Sequence, residues 1–440
     1  MKKNDLTSGT ELFVISNLAL PLIGSALLQF LYNFIDLFFV GGLGSNALAT
    51  VGSASFFMNV GYAFQAMIVA GGGIKIAHAI GGNKEKELSS YIGNSIFLNL
   101  LFGVLTEVVF LLYGHNLLGF LGLNNKEVEI SSYWYLAVSG VMLFFSYFNT
   151  FFIRMFSSFG NNKQSFYISA MGIILNIVLD PIFIYWFKWG VIGAAIATLF
   201  AQIIMFASFV YLAKDVLLNR DNKQLSLNKS LDIVKLGLPM SVQRVLFTII
   251  SILLAKLIVS YGTNAIAAQK IGFQIESVTF VVMGSLSGAV SSFIGQNFGA
   301  AKHTRILAGY QVSMMLGILY ALVTSILFFF WPEQLARLFT LDRETIGIAS
   351  SYLKIVGISQ IFMAMEMIST GVYIGIGLPN ISSTISIVFT ALRIPLAMYL
   401  IPIAGLNGVW WSITISSILK GVLSVIIFQI VYKRRMQHEF

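Results

Sequence analysis

The six residues Gly44-Ser-Asn-Ala-Leu-Ala49 recur, with two conservative changes, as Gly262-Thr-Asn-Ala-Ile-Ala267. The same shift of 218 residues extends without a gap on both sides of this hexapeptide. It pairs Leu20 with Leu238, Pro21 with Pro239, Gly81 with Gly299 and Lys84 with Lys302, and a shift of 217 further along pairs Gly160 with Gly377 and Asn176 with Arg393. The chain is therefore built from two related halves.

The composition around this repeat is typical of a membrane protein. The 440 residues are 57% hydrophobic and 10% charged, with a mean hydropathy of +0.84. Soluble domains carry about a quarter charged residues, so a soluble globule, a disordered chain and a multidomain cytosolic enzyme are excluded. Apolar runs long enough to cross a bilayer recur at residues 12–41, 51–80, 89–113, 129–153, 164–187, 191–213, 232–260, 265–297, 305–331, 345–375, 381–402 and 408–432.

These runs predict an all-α integral membrane protein with 12 transmembrane helices. Because each half has six spans, an even number, both halves share one orientation, as in secondary transporters with parallel repeats. We therefore expect two pseudo-symmetric six-helix bundles around a central cavity, although a duplicated channel or a membrane enzyme stays possible at this point. Residues 1–213 are predicted to form the N-terminal lobe, 214–231 a polar cytoplasmic linker and 232–440 the C-terminal lobe.

The basic residues predict the orientation. Sixteen lysines and arginines fall in the cytoplasmic segments, whereas the outer loops hold only Lys126, Lys188, Arg337 and Arg343. This bias predicts a multi-pass protein of the cell membrane with both termini in the cytoplasm. The net charge of +9 is then expected to contact anionic membrane lipids and not nucleic acid. The absence of cysteine excludes disulfides and thiolate metal sites.

Ionisable side chains within the spans are candidates for function, because a charge at a helix centre costs at least about 2.5–3.5 kcal/mol in a bilayer. Counting about 1.5 Å per residue from the outer helix ends puts four side chains of the N-terminal half roughly 9–12 Å deep. Asn176 lies one helical turn from Asp180 on the same face. The predicted layer consists of Asp36, Tyr135, Asn176, Asp180 and Thr198.

The chemistry expected of this layer is reversible cation binding. Two neighbouring carboxylates in a low dielectric cannot both ionise cheaply, so Asp36 and Asp180 are expected to share a proton, and the same oxygens could coordinate Na⁺. No other metal site is expected. Pro181 removes a backbone donor and favours a bend beside Asp180, and Pro21 is a second candidate for helix bending. The alternative for the two acids is a structural hydrogen bond to neighbouring serines or to the backbone.

The C-terminal half lacks these acids, since Leu254 and Ala397 occupy the positions equivalent to Asp36 and Asp180. Its own intramembrane charges are a possible substrate or polar site, made of Glu276, Arg244, Glu366 and Arg393. Glu366 and Arg244 are expected to form a structural ion pair. Glu276 is expected to pair with Arg393 or Lys420, and it is also the first candidate in this half for contacting a cation. In the N-terminal half, Glu107 is expected to reach the membrane surface.

These residues resemble the multidrug and toxin extrusion (MATE) family over nearly the whole chain. The resemblance rests on Leu20-Pro21 with Asp36 in the first helix, the Gly44 turn, and Asn176-x-x-x-Asp180-Pro181 in the fifth helix. It is closer to the DinF-like or a related prokaryotic branch than to the NorM-like branch, whose seventh helix carries an acid that residues 241–260 lack here.

The resemblance implies a secondary antiporter that exports varied, mostly cationic lipophilic compounds in exchange for H⁺ or Na⁺ by alternating access. It assigns the cation site to Asp36, Tyr135, Asn176, Asp180 and Thr198. No cofactor is expected beyond the coupling ion. The expected partners are small organic cations and membrane lipids, and the chain is expected to function as a monomer.

Two other functions compete with this interpretation. A lipid-linked oligosaccharide flippase of the same superfamily would use basic residues to bind pyrophosphate, and Arg244, Arg393 and Lys420 keep that alternative open. An intramembrane enzyme is disfavoured, because no HExxH, GxSxG or paired-ligand spacing occurs.

Overall fold

The computed structural model describes residues 4–121, 125–218 and 225–436, and all regular secondary structure in these ranges is helical. The helices are α1 Glu11–Gly41, α2 Ser45–Gly81, α3 Glu85–Phe120, α4 Lys126–Ser158, α5 Asn162–Pro181, α6 Gly190–Leu218, α7 Leu227–Val259, α8 Thr263–Gly299, α9 His303–Phe330, α10 Pro332–Arg337, α11 Arg343–Gly357, α12 Gln360–Gly375, α13 Pro379–Ala391, α14 Arg393–Ala404 and α15 Leu406–Met436. A π-helical turn, Ile182–Trp186, follows α5.

The predicted membrane fold is confirmed. Within the described residues 11 helical segments are long and apolar enough to cross a membrane, or 12 if the bent pair α11 and α12 counts as one span. The predicted runs agree with these helices in order and in approximate bounds, because apolar length is what the bilayer selects. The structure adds the short helix α10 between α9 and α11.

The duplication is visible in the local geometry of each half. Helices α2 and α8 both contain 37 residues and begin 218 positions apart. Each begins after a glycine in the left-handed region, with φ 100° at Gly44 and 94° at Gly262. A side chain is disfavoured at such a φ, which explains why glycine stands at this point of both hexapeptides.

The chain divides into two compact units that do not follow chain order. Unit 1 comprises Leu20–Ser241 with the described residues up to Leu6, and unit 2 comprises Thr7–Ala19 with the residues from Val242 onward. The start of α1 thus belongs to unit 2, and the start of α7 belongs to unit 1. The predicted lobes 1–213 and 232–440 remain a prediction, and part of the predicted linker, residues 219–224, lies outside the described residues.

Polar contacts hold each exchanged helix start in its unit. In unit 2, Arg305 of α9 donates to the Glu11 carboxylate at 2.8 Å and to the Ser8 carbonyl at 2.9 Å. In unit 1, the Asn94 side-chain oxygen accepts from the Ser226 amide at 3.0 Å and from the Ser230 hydroxyl at 2.9 Å. These bonds join segments that are more than 130 residues apart in the chain.

The span predicted at 345–375 is broken into α11 and α12, which meet at 55°. Side-chain hydroxyls donate hydrogen bonds to the backbone carbonyls at the end of α11. Thr414 donates to Ile355, Ser359 donates to Val356, and Ser325 donates to Gly357. Because these carbonyls accept hydroxyl donors, the chain can turn at Ile358 without leaving them unsatisfied.

Candidate functional site

Asp180 lies in the last turn of α5 and is fully buried in unit 1. The Asn176 amide, one turn earlier, donates to Asp180 Oδ1 at 2.9 Å. Pro181 follows at once and cannot continue the α-helical bonding, and the chain enters the π-helical turn there. Asp180 Oδ2 is buried and has no hydrogen-bond partner among the described residues. The carboxylate is therefore fixed at one oxygen and unsatisfied at the other.

Asp36 of α1 places a second carboxylate within electrostatic range of Asp180. It is half-buried, and its Oδ1 is also buried without a partner in the described part of the chain. The charge of Asp36 acts directly on Asp180, so the two carboxylates repel each other when both are ionised. Two unsatisfied acid oxygens within a membrane-embedded bundle are chemically able to accept a cation.

Hydroxyl groups complete the cluster around the two acids. Tyr135 of α4 is buried and lies within electrostatic range of both Asp36 and Asp180. Thr198 of α6 bonds to the Ala194 carbonyl at 3.0 Å and to Tyr32 at 3.2 Å. The structure thus brings together all five side chains that the sequence placed in one layer. Their roles remain a prediction.

Tyr32 is a member of this cluster that the sequence analysis missed. It is buried and lies close to the charges of Asp36 and Asp180. The available signal was its spacing, because Tyr32 precedes Asp36 by four residues and so lies one turn away on the same face of α1. Together the two acids and the hydroxyls can accept H⁺ or a small hard cation. Within the described residues no group of three or more His, Cys, Asp or Glu side chains could hold a metal ion.

The C-terminal half contains a different buried polar cluster. Glu276 of α8, 5% exposed, accepts from the Tyr352 hydroxyl at 2.6 Å and from the Gln360 amide at 3.3 Å. Arg393 donates to Ser416 at 2.8 Å and to Ser417 at 3.3 Å. The charges of Arg393 and Lys420 also act on Glu276. The structure therefore places Glu276 near both predicted bases, although its hydrogen bonds come from neutral side chains.

Glu366 has a different partner from the one expected. It forms an ion pair with Lys420 at 2.9 Å and accepts a hydrogen bond from Ser386. Arg244, the partner expected from the sequence, is exposed on α7, and the ion pair that the structure shows for Glu366 is the one with Lys420. Lys420 is 6% exposed whereas Arg244 is exposed, so the two bases differ in the direction in which they leave their helices.

The positions equivalent to the two N-terminal acids carry no polar group. Ala397 is fully buried and Leu254 is 4% exposed, and both belong to an apolar cluster that includes Trp410. The acid pair is thus confined to unit 1.

Glu107 lies apart from the acid pair, on α3. Its Oε2 is buried beside Gly140 of α4 and has no partner within the described ranges. The expectation that Glu107 reaches the membrane surface is therefore wrong for this oxygen.

Comparison with known proteins connects this arrangement to a family. The MatE family model matches residues 21–182 and 239–399, one match in each half. The probable multidrug resistance protein NorM of Thermotoga maritima is 28% identical over 431 residues, which cover 93% of this chain and 90% of that protein. The multidrug export protein MepA of Staphylococcus aureus is 25% identical over 437 residues, covering 94% and 93%.

Solved structures show the same fold. An outward-facing multidrug resistance MATE family transporter superposes with a TM-score of 0.91 at 23% identity, covering 99% of both chains. A MOP superfamily transporter from Pyrococcus furiosus, described as having a binding pocket of reversed polarity, gives a TM-score of 0.88 at 23% identity. The match covers 98% of this chain and 99% of that transporter.

Proposed function

The chain belongs to the MatE family, and from this premise we propose that it is a secondary active multidrug exporter. It exchanges varied, mostly cationic lipophilic compounds for H⁺ or Na⁺ by alternating access. The names of the relatives NorM and MepA support export of drugs. The observation that carries the coupling mechanism is the buried pair Asp36 and Asp180, each with an oxygen that lacks a partner among the described residues.

The pair supports coupling because its charge state and its bonding must change together. Without a bound cation, two neighbouring carboxylates repel each other in a medium that screens poorly. A proton or Na⁺ removes that repulsion and satisfies the free oxygens, so unit 1 prefers a different packing with and without the cation. Tyr135 and Thr198 supply hydroxyls that can reorient between these states.

We propose the orientation that the basic residues predict, with both termini in the cytoplasm of a cell-membrane protein. Asp36 and Asp180 then lie toward the outer ends of their helices, where a cation enters from outside. The chain acts as a monomer among membrane lipids, because the acid pair and its hydroxyls all come from one unit of one chain.

The flippase alternative is less well supported. It requires basic side chains that are available to pyrophosphate. Arg393 already donates to Ser416 and Ser417, and Lys420 is paired with Glu366. Of the three bases, Arg244 is exposed. One exposed arginine offers a weaker site for a diphosphate than a basic cluster would.

The test is transport in proteoliposomes in which the pH gradient and the Na⁺ gradient are set independently. Native protein should accumulate a fluorescent cation such as ethidium against its gradient when one of the two ion gradients is imposed. Asp36→Asn and Asp180→Asn should abolish this accumulation, because an amide cannot take up and release the cation. Glu107→Gln is the matched control, since it removes another membrane-embedded carboxylate of unit 1 and should leave transport intact.

The same experiment names the coupling ion. A response to the pH gradient alone identifies H⁺, and a response to the Na⁺ gradient alone identifies Na⁺. Normal gradient-driven accumulation by both Asp variants, with correct insertion, would refute the proposed site.

A further inference from the structure

A row of polar and small residues runs along one face of α5 up to Asp180. Its members follow one another at intervals of three and four, which keeps them on one side of the helix. At about 1.5 Å per residue the row is about 27 Å long, most of the thickness of a bilayer core. All of its members are buried: Asn162, Ser165, Ser169, Gly172, Asn176 and Asp180.

Two hydroxyls in this row lack hydrogen-bond partners within the part of the chain that the structure describes. Ser165 is 1% exposed and Ser169 is 5% exposed, and neither Oγ has a hydrogen-bond partner among the described residues. Serine in a helix commonly satisfies itself at the carbonyl one turn earlier, but these two do not. A buried hydroxyl without a partner is unfavourable, so each of these groups is suited to bind water.

The duplicated half provides an internal comparison. Ser382 and Ser386 lie 217 residues after Ser165 and Ser169, and both are bonded within the protein. Ser382 donates to the Pro379 carbonyl at 3.0 Å, and Ser386 donates to Glu366. At these two pairs of equivalent positions the unsatisfied hydroxyls therefore lie in the half that carries the two aspartates. Other hydroxyls of α13, those of Ser383 and Thr390, also lack a partner among the described residues.

The row is interrupted at one point by a side chain from α6. Met205 packs into the notch left by Gly172, where even a single added methyl group would overlap it. Met205 therefore lies between the two hydroxyls nearer the start of α5, Ser165 and Ser169, and the pair Asn176 and Asp180. Methionine is unbranched and flexible, so it can leave such a notch without disturbing the backbone.

The far end of the row leads to the surface of unit 1. Asn162 begins α5, next to the half-buried Asn161. The Asn161 side chain accepts from the exposed Asn4 at 3.0 Å. In the orientation proposed above, this end faces the cytoplasm.

We propose that the α5 row holds a file of water that carries the coupling proton from Asp180 to the cytoplasm, and that Met205 is its removable plug. This inference rests on the proposed exporter function and adds the exit route. The proton leaves the acid pair and moves by exchange along waters and hydroxyls, each of which accepts one proton and donates one. The net result is one H⁺ delivered inside and a restored carboxylate.

Cysteine accessibility tests the route without requiring transport. The native chain contains no cysteine, so single substitutions report without background. The probe is 2-aminoethyl methanethiosulfonate, added from the cytoplasmic side. Because only a hydrated thiol ionises and reacts, Ser165→Cys and Ser169→Cys should label about tenfold faster than the matched control Ser382→Cys. Asn176→Cys, beyond the plug, should label slowly and should speed up when combined with Met205→Ala.

Proton flux tests the plug. Vesicles with a trapped pH dye and an imposed pH gradient, but no drug, should leak protons faster with Met205→Ala than with native protein. Met205→Leu keeps an apolar side chain in the notch and should stay tight. Adding Ser169→Val to Met205→Ala should suppress the leak, because it removes a polar member of the file.

The outcomes separate this inference from the exporter function. If native protein exports drug but Ser165→Cys and Ser169→Cys are as inert as Ser382→Cys, the water file is refuted and the exporter function stands. A tight Met205→Ala variant whose Asn176→Cys remains unreactive would refute the plug. Labelled thiols at residues 165 and 169 in a protein that shows no ion-driven export would support the file and count against the exporter.

Discussion

At the scale of single residues, the two halves of the chain use buried charge in opposite ways. Asp36 and Asp180 have no basic partner among the described residues, and their free oxygens suit a mobile cation. Glu366 instead has a cation that belongs to the protein, the ammonium of Lys420. A tethered ammonium cannot leave, so we interpret the Glu366–Lys420 pair as a fixed structural element rather than an exchange site.

Replacing Lys420 with methionine tests this interpretation. The variant leaves Glu366 buried and unpaired, and breaking such a pair typically costs about 3–5 kcal/mol. Thermal unfolding in detergent should therefore show a clear loss of stability. The double variant Glu366→Met with Lys420→Met removes both charges and should recover most of it. A single variant as stable as native protein would contradict the fixed-pair role.

The candidate site was largely predictable from the sequence. Counting residues from helix ends gives depth, and depth was enough to group Asp36, Tyr135 and Asp180. Counting does not give the direction in which a side chain points around its helix. That direction distinguishes Lys420 from Arg244 as the partner of Glu366, and it depends on packing between helices that are distant in sequence.

At the scale of helices, hydropathy predicted every span but not the internal break in one of them. The lengths of α2 and α8 follow from long apolar runs bounded by glycine turns. The break between α11 and α12 depends on hydroxyls from other helices, such as Ser325 of α9, which donates to Gly357 at 2.7 Å. The sequence of residues 343–375 alone does not indicate that other helices supply these hydrogen-bond donors.

The glycine turns that begin α2 and α8 give a prediction for the repeat. Alanine at Gly44 or Gly262 must adopt a positive φ, which costs about 1–2 kcal/mol. No neighbouring atom obstructs a methyl group at either position, so the cost is purely conformational. Gly52 within α2 is equally open but helical, and Gly52→Ala should be neutral or stabilising. Thermal unfolding of the three variants checks this, and equal stabilities would contradict it.

At the scale of the whole molecule, the compact units cross the halves of the sequence. Unit 2 contains Thr7–Ala19, whose Glu11 is paired with Arg305, and unit 1 contains the start of α7, bonded to Asn94. Neither half of the sequence therefore contains a complete unit. The hydropathy pattern could not predict this, because it assigns whole helices to one half or the other.

Expression as two fragments tests the exchange. A cut within residues 219–224 gives one fragment that lacks the α7 segment of unit 1 and another that lacks the α1 segment of unit 2. Each fragment alone should be degraded or should aggregate on extraction. Co-expression should give a stoichiometric complex that purifies on a tag carried by one fragment. Recovery of either fragment as a stable, monodisperse protein on its own would contradict the exchange.

The exchange of the α1 and α7 starts between the units also bears on how such a chain arose. In a half-length ancestor with this architecture, the start of the first helix would have packed only in a second copy of the protein. Such an ancestor would therefore have required dimerisation to fold. Fusion of two such genes would then have preserved an exchange of helix segments that the dimer already had. Once the two copies were in one chain, the N-terminal half could keep Asp36 and Asp180 while the C-terminal half lost the equivalent acids.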